Sequence, residues 1–339
     1  MRRREFIAGT AATATAVFAR SARAQTNSQL AKRIAIVDPA AEPEEVIING
    51  IPSFKAYLTE LNRLGYVEGQ NLTVERYLAL GLPERQAENA RAVVASHPDL
   101  IVAIGGPVAR QLKPLTTTIP IIAISGDPVA GKIVTNLARP DGNITGVSVD
   151  AGLGIYAKRL ELLREVTQKL TTVPLLYSAS GLPFWEMALK APLQEAGARV
   201  GISVSVAVPA ETTDRASFER AFDLIIAAGA DGLMVGDTSE ILRSRELILE
   251  LAAKHRLPTI YSYREFVEAG GLMSYGIDLR DVFRRMADMT VDVLRGAKPA
   301  DIPYFQLTKF ELVLNRKTAR SLGLEFPPTL LVAADEVIE

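Results

Sequence analysis

Short apolar runs alternate with amphipathic helical stretches from residue 33 to residue 276. A strand buried on both faces of a parallel sheet is apolar throughout, and a helix returns the chain to the next strand. The pattern therefore predicts an α/β fold with parallel sheets. Predicted strands of a first series lie at 33–38, 72–77, 100–105 and 120–125. Those of a second series lie at 144–149, 173–178, 200–208, 232–236, 259–263 and 271–276.

Chain length predicts two lobes, because 339 residues are more than one hydrophobic core ordinarily serves. A predicted helix at 45–64 follows the first strand. Another helix at 281–294 and a tail at 310–339 come after the second series, so the chain is expected to cross between lobes more than once. We predict a first lobe at 30–145 plus 278–307 and a second lobe at 146–277 plus 308–339.

The first 24 residues have, in order, the three parts of a twin-arginine export signal. Arg3 and Arg4 lie in a basic start, and 7–19 is a mildly apolar run too short to span a bilayer. Small residues at Ala22 and Ala24 fit a signal peptidase site. We predict cleavage after Ala24 and a periplasmic mature protein. The alternative is an amphipathic helix at the start of a cytosolic protein.

Composition narrows the functional classes. The chain has no cysteine, so a lipoprotein anchor and disulfides are excluded. Its net charge of −1 and 6 % aromatic content argue against nucleic acid or an anionic membrane surface as a partner. An exported enzyme, a solute receptor and a structural factor remain as classes. We expect a monomer.

Two glycine-rich segments imitate nucleotide-binding motifs but lack residues that those motifs require. The segment 126–132 has phosphate-loop spacing, yet Ile133 replaces the hydroxyl residue and Pro128 removes an amide donor. The segment 152–157 fits a dinucleotide fingerprint, but the next predicted strand ends without a carboxylate for a ribose. We therefore predict no nucleotide and no cofactor.

Candidate catalytic groups are few. His97 and His255 each end a predicted helix, where a cation is favourable, and neither lies beside a second His or a Cys that could complete a metal site. A serine-nucleophile elbow is absent from the sequence. Asp38, Asp127 and Asp237 lie at the carboxyl ends of predicted strands, at the sheet edge where ligands bind in α/β folds. We interpret them as ligand contacts or helix caps and predict neither catalytic residues nor a metal.

Small and polar residues also gather at these strand ends. Gly106 and Pro107 open a predicted helix, where free backbone amides suit a ligand carboxylate. Tyr263 follows a second-series strand and could cover a ring, with Arg264 as a counter-charge. Ordinary caps and turns explain each of these residues equally well. As a group, they favour a cleft that binds without reacting.

Several blocks, in order, carry a family resemblance: YVEGQN at 66–71, GDPV at 126–129, RPDGNITGV at 139–147, EFVEAGGLMSYG at 265–276 and PPTLL at 327–331. They resemble the ABC transporter substrate-binding family whose best-known members bind tryptophan and other aromatic amino acids. The resemblance covers nearly the whole mature chain.

The resemblance implies a type I periplasmic binding fold, in which two doubly wound parallel-sheet lobes, joined by three crossovers, close on a ligand about a hinge. It implies a periplasmic receptor that carries an amino acid or an aromatic or organic acid to an ABC permease. An exported α/β enzyme and a sensor lobe for a membrane kinase stay open as alternatives. The predicted ligand contacts are Asp38, Gly106, Pro107, Ser125, Asp127, Ser178, Ser180, Asp237, Tyr263 and Tyr275.

Overall fold

Two α/β lobes make up the protein, each built on one sheet. The computed structural model describes residues 31–149, 153–167, 169–208 and 214–339, so the predicted export signal lies outside the described residues. The strands of the first sheet are β1 (Lys32–Asp38), β2 (Leu72–Leu78), β3 (Leu100–Ile104), β4 (Ile121–Ser125), β5 (Ile144–Ser148) and β11 (Phe305–Gln306). They are ordered β2-β1-β3-β4-β5-β11 and run parallel.

Helices cover both faces of the first sheet, which is why its strands are apolar on both sides. In β1, Ile34 and Ile36 pack into one cluster of core side chains and Ala35 and Val37 into another. The helices of this lobe are α1 (Pro52–Arg63), α2 (Pro83–Ala95), α3 (Gly106–Leu112) and α11 (Leu279–Leu294).

The second sheet has the order β7-β6-β8-β9-β10-β12-β13. Its strands are β6 (Thr172–Leu176), β7 (Ser203–Ala207), β8 (Leu233–Val235), β9 (Thr259–Tyr261), β10 (Met273–Gly276), β12 (Glu311–Asn315) and β13 (Glu336–Ile338). The strands from β6 to β10 are parallel, as predicted. At the edge, β12 runs antiparallel to β10, because the chain arrives there from the first lobe.

The helices that cover this sheet are α4 (Gly154–Val166), α5 (Leu182–Phe184), α6 (Lys190–Arg199), α7 (Arg215–Ala227), α8 (Ser239–Arg243), α9 (Arg245–Lys254), α10 (Arg264–Glu268), α12 (Arg316–Leu322) and α13 (Pro328–Ala333). A π-helical turn at Trp185–Leu189 joins α5 to α6. Within the described ranges, no helix has the length and apolar character that crossing a membrane requires.

The chain passes between the sheets three times: between β5 and α4, between β10 and α11, and between β11 and β12. Packing of α11 against α1 brings the chain back to the first lobe. The rings of Phe54 and Phe283 meet edge to face at 5.0 Å, and the Tyr57 hydroxyl lies 3.0 Å from Thr290 Oγ1. These contacts anchor the returning segment in the core of the first lobe.

Two predicted elements differ in the structure. The strand predicted at 144–149 as the start of the second series is β5, which pairs with β4 in the first sheet, so the predicted boundary after residue 145 falls inside β5. The helix predicted at 45–64 begins only at Pro52, since the preceding residues form a tight turn. A Cβ at Gly50 would lie 2.1 Å from the Glu45 carbonyl oxygen, so this turn requires glycine.

The contact between β4 and β5 gives a stability prediction. A Cβ at Gly146 would lie 1.8 Å from the Ala123 carbonyl oxygen, a backbone atom that cannot move without breaking the sheet. We expect Gly146→Ala to lower the free energy of unfolding by about 3 kcal/mol or more, measured by thermal denaturation. The matched control is Gly154→Ala at the start of α4, where a Cβ meets nothing within 4 Å. Equal melting temperatures of the two variants would contradict the prediction.

Candidate functional site

A cavity of about 140 Å³ lies between the lobes, at the carboxyl ends of strands from both sheets. The first lobe contributes Asp38 at the end of β1, the start of α3 and the loop after β4. The second lobe contributes the loops after β6, β8 and β9. Apolar side chains form most of its wall, including the rings of Phe54, Phe184 and Phe283. An apolar cavity with a few polar groups is the usual form of a small-molecule site.

The structure brings most predicted ligand contacts together. Those that line the cavity are Asp38, Gly106, Pro107, Ser125, Asp127, Asp237 and Tyr263. Ser178 and Ser180 line an adjoining cavity, described below as the outer cavity, of about 460 Å³. Tyr275 is not brought to either cavity: its side chain leaves β10 toward Phe310, with the rings stacked at 5.8 Å.

Protein groups already bind several of these polar side chains. Asp127 Oδ1 accepts hydrogen bonds from the backbone N–H groups of Val129 and Ala130, both at 2.9 Å. Asp237 Oδ2 accepts one from the Tyr156 hydroxyl at 2.7 Å. These carboxylates therefore act at least as structural acceptors that hold their loops, which is the cap role that sequence reasoning left open.

The other predicted hydroxyls also have partners. Ser125 Oγ lies 2.7 Å from the Tyr304 hydroxyl, and Ser178 Oγ lies 2.9 Å from Ser180 Oγ. The Tyr263 hydroxyl donates to the backbone oxygen of Asp237 at 3.1 Å. These hydrogen bonds orient the cavity wall. Other residues are therefore the candidates for binding the charged groups of a ligand.

Asp38 is the most perturbed carboxyl of the cavity. Burial raises its pKa to about 6, against the lowering effect of two backbone N–H groups. These donors are Ala40 and Ala41, each 2.8 Å from Oδ1. Glu240 and Glu45 add to the rise by like-charge repulsion. The folded protein therefore takes up a proton at Asp38 at a higher pH than an ordinary aspartate would.

Arg110 is a cavity residue that the sequence analysis missed. It lies on α3 one turn after Gly106 and is half-buried, and burial lowers the pKa of its guanidinium. Within the described residues it makes neither a side-chain hydrogen bond nor an ion pair. A Cβ at Gly106 would lie 3.4 Å from Arg110 Nη1, so glycine there leaves room for the guanidinium. A sequence feature that could have indicated Arg110 is its spacing of four residues from Gly106, because residues four apart lie on the same face of a helix.

Arg264, which the sequence suggested as the counter-charge, does not line either cavity. Its guanidinium binds Glu268 at 2.7 Å and Glu311 at 2.8 Å, and it also pairs with Glu336. Three carboxylates therefore hold Arg264 at the edge of the second sheet. The counter-charge expectation was wrong for this residue, and the arginine that lines the cavity is Arg110.

Glu240 faces Arg110 from the other lobe. It lies on α8, is only 5 % exposed, and lines both the main and the outer cavity, as Arg110 does. In the part of the chain that the structure describes, no hydrogen bond or ion pair engages its carboxylate. The two opposite charges share a cavity without pairing, so a ligand with both charges can neutralise both.

A cross-lobe ion pair lies at the edge of the cavity. Arg243 of α8 binds Glu42 at 3.1 Å and Glu45 at 2.5 Å, both in the first lobe. The described residues contain no cluster of three or more potential metal ligands. Neither His97 nor His255 lines the cavity. The arrangement provides an anion contact, a cation contact and an apolar chamber.

The raised pKa of Asp38 gives a pH prediction. The pKa of Asp38 is higher in the folded protein than in the unfolded chain. The contribution of this group to stability is therefore full below about pH 4 and is lost as pH rises through about 6. Asp38→Asn keeps an oxygen acceptor for both amides and removes the charge. We expect it to raise the free energy of unfolding at pH 8 by at most about 3 kcal/mol, with no gain near pH 4.

Thermal denaturation at both pH values measures this difference, with Asp223→Asn on the exposed face of α7 as the matched control. A stability difference between the wild type and Asp38→Asn that is the same at pH 4 and pH 8 would show that the raised pKa is wrong.

Comparisons with known proteins agree with this two-lobed architecture. The model of a family described as ABC transporter substrate binding protein matches residues 53–338. A tyrosine-binding protein of Clostridioides difficile (strain R20291) is 25 % identical over 272 residues, which are 80 % of this chain and 76 % of that protein.

Solved structures have the same fold. A conserved domain protein of Vibrio cholerae has a TM-score of 0.78 at 25 % identity, with 91 % of this chain and 99 % of that chain covered. The ABC domain of Streptococcus pneumonia in complex with L-Trp has a TM-score of 0.77 at 24 % identity, with the same coverage. The two lobes have the fold of type I periplasmic binding proteins, as the sequence predicted. With its family model matched over most of its length, the chain belongs to the ABC transporter substrate-binding proteins.

Proposed function

We propose that this protein binds a ring-bearing amino acid between its lobes and delivers it to an ABC permease. The observation that carries the proposal is the placement of Arg110 and Glu240. They extend from opposite lobes into one largely apolar cavity, and within the described chain neither is paired. A zwitterion with an apolar side chain complements both the charges and the wall.

The size of the cavity fits one ring. The whole cavity has a volume of about 140 Å³, close to that of an engineered protein cavity, about 150 Å³, that binds benzene. Phe54 and Phe283 of the first lobe and Phe184 of the second offer ring faces and edges to such a ligand. A tyrosine-binding relative and a structural neighbour in complex with L-Trp support this ligand class.

The charges couple binding to closure. The ligand carboxylate pairs with Arg110 and the ligand ammonium with Glu240, so one molecule connects the two lobes. Without the ligand, bringing the lobes together desolvates both side chains with no compensation. Binding therefore shifts the population toward the closed form. Asp38, Ser125, Asp127, Asp237 and Tyr263 shape the wall around the ligand.

Family membership supports a transport receptor over the two alternatives, an exported enzyme and a sensor lobe. In this proposal the protein carries out no catalysis, acts as a monomer and has a membrane permease as its partner. The export signal at 1–24 directs it to the periplasm, where solute receptors of this family work.

Loss of the anion contact should abolish binding. We expect wild-type protein to bind L-tyrosine or L-tryptophan and Arg110→Gln to bind it at least about 100-fold more weakly, because the ligand carboxylate is left buried and unpaired. Isothermal titration calorimetry measures both affinities, with Arg91→Gln on the exposed face of α2 as the matched control.

The amine tyramine lacks a carboxylate, so it should bind the wild type and Arg110→Gln equally weakly. If Arg110→Gln bound the amino acid with an affinity within threefold of the wild-type value, Arg110 would not be part of the binding site. Failure of the wild type to bind either amino acid would overturn the proposed ligand class.

The export proposal predicts a mature N-terminus at Gln25. Intact-mass measurement of protein from a periplasmic fraction checks this position. Replacing both Arg3 and Arg4 with lysine should leave uncleaved precursor in the cytoplasm, since the export machinery recognises the arginine pair. Replacing Arg20 with lysine, which lies outside that pair, is the control. Normal export of the double variant would exclude the twin-arginine route.

A further inference from the structure

The outer cavity adjoins the proposed ligand site and also lies between the lobes. The loop before α2, helix α3 and the segment 178–183 surround its volume of about 460 Å³. It shares Pro107, Arg110 and Glu240 with the main cavity. A ligand held by these two charged residues is therefore in contact with both cavities at once.

The side chain of Gln86 gives the outer cavity a polar group that could bind a ligand. This α2 side chain is only 8 % exposed and lines the cavity. Its amide makes no hydrogen bond to any residue in the described ranges. The residue is mostly buried, and its amide is free to hydrogen-bond with a molecule in the cavity. Gln86 therefore offers a donor and an acceptor to a polar group of a ligand.

The residues that line the outer cavity indicate which chemical group would bind to Gln86. A glutamine amide has a donor and an acceptor side by side, which matches the carbonyl and N–H of a peptide unit. The half-buried Gln111 on α3 and the hydroxyl of Ser180 add neutral polar atoms to the same wall. Among the described wall residues, Arg110 and Glu240 carry the charges. A neutral amide thus suits the space beyond them, since a further charge would be desolvated without a partner.

We propose that the outer cavity is a second subsite, which holds the peptide group of a dipeptide whose N-terminal residue is aromatic. The ring occupies the main cavity and the ammonium group pairs with Glu240. The peptide group lies in the outer cavity and hydrogen-bonds with Gln86. The terminal carboxylate pairs with Arg110, whose side chain lines both cavities. This inference rests on the proposed function, because it uses the same ring chamber and the same charges.

Calorimetry with L-tyrosine and L-tyrosylglycine tests the subsite. We expect the wild type to bind both compounds. Gln86→Met, which keeps the side-chain length and removes the amide, should weaken dipeptide binding by about tenfold and leave tyrosine binding unchanged. Gln194→Met is the matched control, because Gln194 lies on α6, lines neither cavity and bonds the Val204 carbonyl oxygen at 3.2 Å.

Binding of tyrosine alone, with the dipeptide at least about 100-fold weaker, would overturn the second subsite and leave the proposed function intact. An equal loss of both ligands in Gln86→Met would also overturn it, since Gln86 would then act only on the fold. Binding of the dipeptide but not tyrosine supports the subsite and contradicts the proposed ligand class. Binding of neither compound contradicts both.

Discussion

Burial of two opposite charges that do not pair is the constraint on which the site depends. Arg110 and Glu240 belong to different lobes and lose much of their contact with water when the lobes are together. Such burial is costly until an opposite charge arrives. The proposed function links the closed arrangement to a ligand that carries both charges. The two sheets hold the helices of Arg110 and Glu240 on either side of one cavity.

The other polar groups of the cavity do not compete for this role. Asp127 and Asp237 already accept hydrogen bonds from neighbouring amides or hydroxyls, and Asp38 accepts two from backbone N–H groups. Carboxylates whose charge is partly compensated by such donors repel an incoming carboxylate less than free ones do. In the proposed binding mode, the cavity can therefore contain several acids and still bind an acid through Arg110.

Release follows from the same geometry. Arg243 joins the lobes through Glu42 and Glu45, but these side chains are partly exposed, and exposed ion pairs contribute little stability. In the proposed binding mode, opening about the three crossovers would separate Arg110 from Glu240 and break both ligand contacts together. Such a receptor would hold its ligand tightly when closed and weakly when opened, as transfer to a permease requires.

The sequence by itself determined the fold class, because strands buried on both faces and amphipathic helices leave a clear periodic pattern. Most of the contacts that it predicted do lie on the cavity wall, since strand ends in a parallel sheet meet at one edge, and Asp38, Gly106 and Asp237 lie at or just after strand ends. Only the tertiary structure decided which lobe β5 joins, because an apolar run does not specify its neighbours in a sheet.

The placement of Arg110 and Glu240 in one cavity was likewise decided only by the tertiary structure. Arg110 and Glu240 are 130 positions apart, on helices rather than strand ends, and each resembles an ordinary surface residue of a short helix. Arg264 had the more suggestive place after a strand, yet Glu268, Glu311 and Glu336 hold it elsewhere. Whether a charge is free or paired depends on residues that are distant in the chain, and only folding brings those residues together.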